Sequence, residues 1–192
     1  MATRKGLGTT VFDQAVARLV ELYGEGHRLV VSFSAGKDSG VALEVAIIAA
    51  RLTDRLPVDV IMRDEEIMYP GTFEYAERVA QRPDVRMVWA VANQPILNVY
   101  NRASPYFWTF DPTLDSEVWV RRPPDFATRI PHINIDSMTI PERFPPAHGK
   151  RLFAVVGMRT SESRARHYRI FATKGYISQP NRHGVANVWP IY

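Results

Sequence analysis

The sequence predicts an α/β protein, a mainly parallel sheet with helices on both faces, carrying a Pro- and aromatic-rich irregular insertion. Three observations predict this. Short β-rich runs alternate with helix-length apolar segments across residues 28–102. Between 104 and 150 the pattern breaks into recurrent prolines and aromatics, then resumes at 152. One strand-to-helix junction, at residues 32–40, consists almost entirely of small residues around a single lysine.

Each element has its own signal. Residues 28–34 (RLVVSFS) form a short β-rich run that ends in a small-residue turn. Residues 39–52 (SGVALEVAIIAARL) are apolar nearly all round, as a buried helix requires. Residues 58–62 make a second strand, closed by the charged Arg63, Asp64, Glu65 and Glu66. A helix follows over 72–81 with Thr72 as N-cap. Residues 85–92 are a third strand, and 95–102 a shorter helix. Prolines at 105, 112, 123, 124, 131, 141, 145 and 146 forbid long helices or central strands in the next segment. Its aromatics, among them Trp108, Trp119 and Phe126, separate it from a linker, so an ordered insertion packed on the domain is expected, with a short helix at about 135–143. Residues 152–157 (LFAVVG) are a fourth strand, followed by a helix over about 161–173. The whole of 1–192 is expected to form one domain.

Composition excludes several chemistries. Hydrophobic residues are 46% of the 192, enough for a core without staples. Cysteine is absent, which rules out disulfides, iron–sulfur clusters and cysteine–zinc sites in this chain. Histidines 27, 132, 148, 167 and 183 are scattered and suggest no metal cage. No apolar run is long enough for a membrane span, and the N-terminus is not a secretory signal, so a cytoplasmic protein is expected. Net charge is +4, and Lys5, Lys37, Lys150 and Lys174 are the only lysines. The arginine excess fits either coding bias or anion binding through guanidinium forks.

The richest stretch is Ser32-Phe33-Ser34-Ala35-Gly36-Lys37-Asp38-Ser39-Gly40. It leaves a strand and opens a helix, where free backbone N–H groups and about half a positive charge await an anion. Small residues let a phosphate approach the backbone, Lys37 adds a full charge, and Ser34 and Ser39 add hydroxyls. A Walker A loop is rejected, because Val31 and Asp38 stand where it needs glycine and Ser or Thr. The dinucleotide fingerprint fails because Gly24 and Gly26 precede the strand and Leu29 takes the third position.

Ser34, Gly36, Asp38 and Ser39 instead resemble the PP-loop, Ser-Gly-Gly-x-Asp-Ser, of the ATP pyrophosphatase superfamily, with Ala35 replacing the first glycine. Lys37 is typical of its phosphoadenylylsulfate (PAPS) reductase-like family. A second stretch, Gly157-Met158-Arg159-Thr160-Ser161-Glu162-Ser163-Arg164-Ala165-Arg166, resembles that family's Gly-x-Arg-x-x-Glu-Ser-x-x-Arg signature. A solvated Glu162–Arg166 pair at i,i+4 is the competing reading, and it leaves Arg159 unexplained. Asp64-Glu65-Glu66 before Tyr69-Pro70-Gly71-Thr72, and the terminal Trp189-Pro190-Ile191, are similar to further family features.

The resemblance implies a five-stranded, Rossmann-like adenine nucleotide α-hydrolase fold. It places adenine across the first two strands with the backbone near Met62 reading the base. Ser32, Ser34, Ala35, Gly36, Lys37, Asp38 and Ser39 would cradle phosphate, with Asp64, Gly157, Arg159, Glu162, Arg164 and Arg166 completing the nucleotide site. Lys37, Asp38 and Arg159 are the implied catalytic residues, with Asp38 orienting Mg²⁺ when the ligand is ATP. Three readings follow: an adenylylating or pyrophosphate-releasing enzyme, a PAPS reductase working through a cysteine, or a non-catalytic nucleotide-binding regulator. The absent cysteine opposes the second. A homo-oligomer, DNA or a protein are the partners considered. Because the Trp-Pro-Ile sequence normally leads into a substrate-binding segment, the chain is expected to be a fragment or a shortened relative.

Overall fold

The computed structural model describes residues 8–131, 139–158, 164, 168 and 175–191. Helix α1 (Val11–Gly24) opens the chain. A capping box sets its start: Thr10 Oγ1 accepts from Asp13 N at 3.0 Å, and the Asp13 carboxylate accepts from Thr10 N. Ala15, Leu19 and Leu22 form its buried stripe. Strand β1 (Arg28–Phe33) runs into helix α2 (Lys37–Leu52), then β2 (Val58–Asp64), helix α3 (Pro70–Ala80) and β3 (Val85–Val91). Pro70 occupies the first turn of α3 behind Tyr69, so this helix starts before Thr72.

Residues 95–102 are not helical. β4 (Pro95–Leu97) pairs antiparallel with β5 (Tyr106–Trp108), placing Ile96 opposite Phe107. The physical reason lies in the turn: Asn98 Oδ1 accepts from Tyr100 N, and Asn101 Oδ1 accepts from Ala103 N and Ser104 N. Such side-chain acceptors compete with a helical backbone. A 3₁₀ turn (Ser116–Val118), β6 (Thr128–Arg129) and α4 (Ile140–Arg143) complete the insertion. β7 (Leu152–Val156) and β8 (Val185–Val188) finish the sheet.

The main sheet has six strands, ordered β6-β3-β2-β1-β7-β8, and every pairing is parallel. Alternate residues of β1 sort its faces. Leu29, Val31 and Phe33 meet α1, α2 and α3 in the larger core, whereas Val30 joins Ile61, Ala154, Ile140 and Phe144 on the other face. From β1 the chain proceeds through β2 and β3 on one side and through β7 and β8 on the other. The boundary between β1 and β7 is therefore the topological switch point, where parallel α/β sheets offer a crevice at their C-terminal ends.

The insertion is fastened by two buried carboxylates at the end of β2. Asp64 is fully buried and accepts from Trp89 Nε1 at 2.8 Å, from Glu66 N at 2.8 Å and from Arg121 Nη2. Glu66 accepts from Val120 N at 2.7 Å and from Phe110 N. The Arg121 guanidinium also lies 3.9 Å from the centroid of the Phe73 ring. No described helix is long and apolar enough to cross a membrane.

Candidate functional site

β1 ends at Phe33 and α2 begins at Lys37, leaving three residues to turn the chain. Ala35 takes φ 56°, a left-handed conformation that costs an L-residue roughly 1–2 kcal/mol and that glycine adopts freely. In this chain the residue at that turn adopts positive φ, so alanine there is strained. Gly36 caps α2 in extended conformation with no side-chain bond.

Ser39 braces this turn from inside. It is 6% exposed; its hydroxyl donates to Gly36 O at 2.9 Å and accepts from Ser34 N at 3.2 Å. The Ser34 hydroxyl lies 3.1 Å from it. Ser39 therefore shapes the loop rather than presenting its hydroxyl to solvent, while Ser34 and Gly36 are exposed. The N–H groups of Lys37, Asp38 and Ser39 have no intrahelical acceptor, since the first helical bond is Gly40 N to Gly36 O. Lys37 is three-quarters exposed, with Nζ 2.9 Å from Asp38 Oδ2. The result is a turn of backbone donors, a helix dipole and one ammonium at the switch point.

Gly157, just past β7, closes the other side. A Cβ on it would lie 2.4 Å from Asp38 O and 2.7 Å from Ser39 N. Only glycine lets the end of β7 pack against the first turn of α2, which gives the glycine of the second motif a steric role. Arg159, Glu162 and Arg166 lie outside the described residues; Arg164 is helical and exposed.

A cleft of about 330 Å³ adjoins the loop across the C-terminal ends of β1 and β2. Ser32, Phe33 and Ser34 form one wall, Ile61, Arg63 and Glu65 a second, and residues 67–69 with Thr72 the far side. Two expected contacts are placed differently. Met62 is fully buried, and its backbone sits in the ladder between Phe33 and Trp89, inside a strand that continues to Asp64. Beyond the Phe33–Met62 pair β1 stops, so Arg63 presents the first unpaired β1-facing edge of β2. Asp64 spends its carboxylate on Trp89, Glu66 and Arg121 and faces away from the cleft chemistry.

No group of three or more His, Asp or Glu among the described residues could hold a metal by itself. Mg²⁺ bound with a nucleotide draws most ligands from phosphate and water and needs only one or two carboxylates. Asp38, partly exposed in the first turn of α2, fits that smaller demand.

Sheet order and the strand-to-helix turn at the switch point define the class as a Rossmann-like α/β fold. Comparison with protein-family models and with curated protein sequences finds no match. Among solved structures, the chain is similar to FMN adenylyltransferase of Candida glabrata in complex with ATP, with TM-score 0.54 and 12% identity over 94% of this chain and 49% of that one. The same enzyme described without ligand gives TM-score 0.57 and 11% identity. Its complex with FMN and the ATP analogue AMPCPP gives 0.55 and 11%. The chain spans about half the length of these neighbours. At this identity the similarity establishes the fold.

Proposed function

We propose that the chain binds ATP on the Ser34–Ser39 loop and transfers its adenylyl group to an acceptor, releasing pyrophosphate. The observation that carries the proposal is the loop itself: the first-turn N–H groups of α2, Lys37 and the exposed Ser34, set at the switch point beside a cleft of base size. Adenine occupies the cleft between Ser32–Ser34 and Ile61–Arg63, with the Arg63 main chain reading its edge. The loop holds the β- and γ-phosphates, and the α-phosphate faces the acceptor. An acceptor oxygen forms the new bond to Pα as the bond to the bridging oxygen breaks, and the acceptor's proton passes to solvent. Backbone donors and Lys37 stabilise the charge gathering on pyrophosphate. Asp38 would hold Mg²⁺, which supplies further charge neutralisation on the phosphates when bound. Arg159 is assigned to the same phosphates on the strength of the sequence motif.

The structural neighbours are FMN adenylyltransferases, so FMN is the first acceptor to try. PAPS remains the competing nucleotide because of the family resemblance of both motifs, although a chain without cysteine cannot reduce it through a thiol. Calorimetric titration with ATP and with PAPS, each in Mg²⁺, separates the two. ATP bound more tightly, with affinity lost in Lys37→Ala, is the expected result. PAPS bound more tightly contradicts the assignment.

A further inference from the structure

The opposite end of the sheet carries a second hollow, of about 250 Å³, where β1 and β2 begin. Tyr23, His27, Arg28, Arg55, Asp59 and Arg86 line it. The six residues of β1, about 20 Å of strand, separate it from the phosphate loop. Asp59 is 7% exposed and is saturated by two guanidinium groups. Arg28 Nε and Nη2 approach Oδ2 at 2.9 and 2.8 Å; Arg86 Nε approaches Oδ1 at 2.6 Å and Arg86 Nη2 the same oxygen. Arg55 is exposed and lines the hollow without an ion pair to a carboxylate among the described residues. Three guanidinium groups against one carboxylate leave the lining with a surplus of two positive charges. Glu25, next to the lining residue Gly26, is engaged with His27 at 2.9 Å.

Tyr23 supplies an independent mark. It is 5% exposed, and its hydroxyl has no hydrogen-bond partner. A buried hydroxyl left unpaired is destabilising. Burial first, and the charge of Asp59 second, push the phenol pKa up, whereas nearby Arg55 acts to lower it. The group is a donor with no acceptor among the described residues.

We infer that this hollow is a second ligand site, for a small anion carrying a phosphate or sulfate group. The Tyr23 hydroxyl comes from α1, Arg55 from the turn between α2 and β2, and Arg86 from β3. Donors arriving from three elements suit the oxygens of a tetrahedral anion better than the two oxygens of a carboxylate. A dianion also matches the surplus charge. The site is independent of the nucleotide loop and does not rest on the adenylyl-transfer reading.

The test is calorimetric titration of the full chain with inorganic phosphate, glycerol 3-phosphate and citrate at matched ionic strength. Wild type, Arg55→Ala, Tyr23→Phe and Lys37→Ala are compared, the last because the phosphate loop is itself an anion site. Arg55→Ala is expected to weaken phosphate binding at least about tenfold, the equivalent of ~1.4 kcal/mol. Tyr23→Phe should weaken it about fivefold while raising the melting temperature of the unliganded protein, because it removes an unpaired buried hydroxyl. Lys37→Ala, which weakens the loop's own anion site, should retain the part of phosphate binding that Arg55→Ala and Tyr23→Phe lose. Tighter binding of inorganic phosphate identifies a free anion as the ligand, and tighter binding of glycerol 3-phosphate a phosphate ester. Wild-type phosphate affinity in both Arg55→Ala and Tyr23→Phe, loss of all binding in Lys37→Ala, absence of phosphate binding in the folded wild type, or binding of citrate alone would each overturn the inference.

Discussion

Gly157→Ala tests whether the end of β7 shapes the phosphate loop. The added methyl carbon would meet Asp38 O at 2.4 Å, Asp38 C at 2.5 Å and Ser39 N at 2.7 Å. Ordinary contact begins near 3.4 Å, so the overlap is about 1 Å, and the opposing atoms are backbone and cannot swing aside. Relief requires the first turn of α2 to move by a similar distance. Overpacking of this kind costs about 1–3 kcal/mol of stability. It also misaligns the N–H groups of Lys37 and Ser39, and a displacement of 1 Å at a reacting site is worth about a hundredfold in rate. Urea denaturation should report the stability loss, and ATP titration an affinity at least about tenfold weaker. An alanine variant with wild-type midpoint and wild-type affinity would refute the packing argument and leave the Gly157 motif without a role.

Other substitutions have separate signatures. Ala35→Gly removes roughly 1–2 kcal/mol of left-handed strain at φ 56° against about 0.4–1 kcal/mol of added chain entropy, so the denaturation midpoint should rise slightly. Lys37→Ala should weaken ATP binding by about 1.5–3 kcal/mol, read by calorimetry, with little change in stability because the side chain is three-quarters exposed. Asp64→Asn strands the Arg121 guanidinium beside Phe73 and should cost about 3–5 kcal/mol of stability in urea denaturation. Hydrogen bonding to Arg82 holds the Asp84 carboxyl below the usual range, so its stabilisation is present above the unfolded carboxylate pKa and fades as pH falls through the folded value. Asp84→Asn should accordingly flatten the acid limb of the stability–pH curve.

The sheet and the loop were legible because their signals are local. The apolar run of β1, the small residues at 34–36 and the apolar α2 place the turn without tertiary information. α1 lies ahead of the elements expected from residue 28 onward, although Thr10 and Asp13 form a capping box before Ala15, Leu19 and Leu22 at helical spacing. β8 is four residues long, and its turn signals, Asn181 and Gly184 at φ 81°, lie in a segment dominated by the Trp-Pro-Ile resemblance. The six-stranded sheet therefore exceeds the five strands expected. The roles of Asp64 and Glu66 could not be read at all, because their partners, Val120 and Arg121, are more than fifty residues away and Phe110 is 44 away. Trp119 packs edge-on against Phe110 and donates to Asp111 O at 3.1 Å, whereas Trp108 stays 45% exposed. Aromatic content alone does not distinguish those two fates.

Adenylyl transfer and γ-phosphate transfer differ in which phosphoanhydride bond breaks. On the proposed reading, a loop that lacks a Ser or Thr after its lysine and holds phosphate on the first turn of α2 would present pyrophosphate as the leaving group. The direct measurement is chromatography of nucleotide products after the full chain is incubated with ATP, Mg²⁺ and FMN, with Lys37→Ala in parallel. Pyrophosphate together with an adenylylated acceptor or AMP is expected, abolished in the variant. ADP and orthophosphate as the main products, lost in Lys37→Ala, would contradict it.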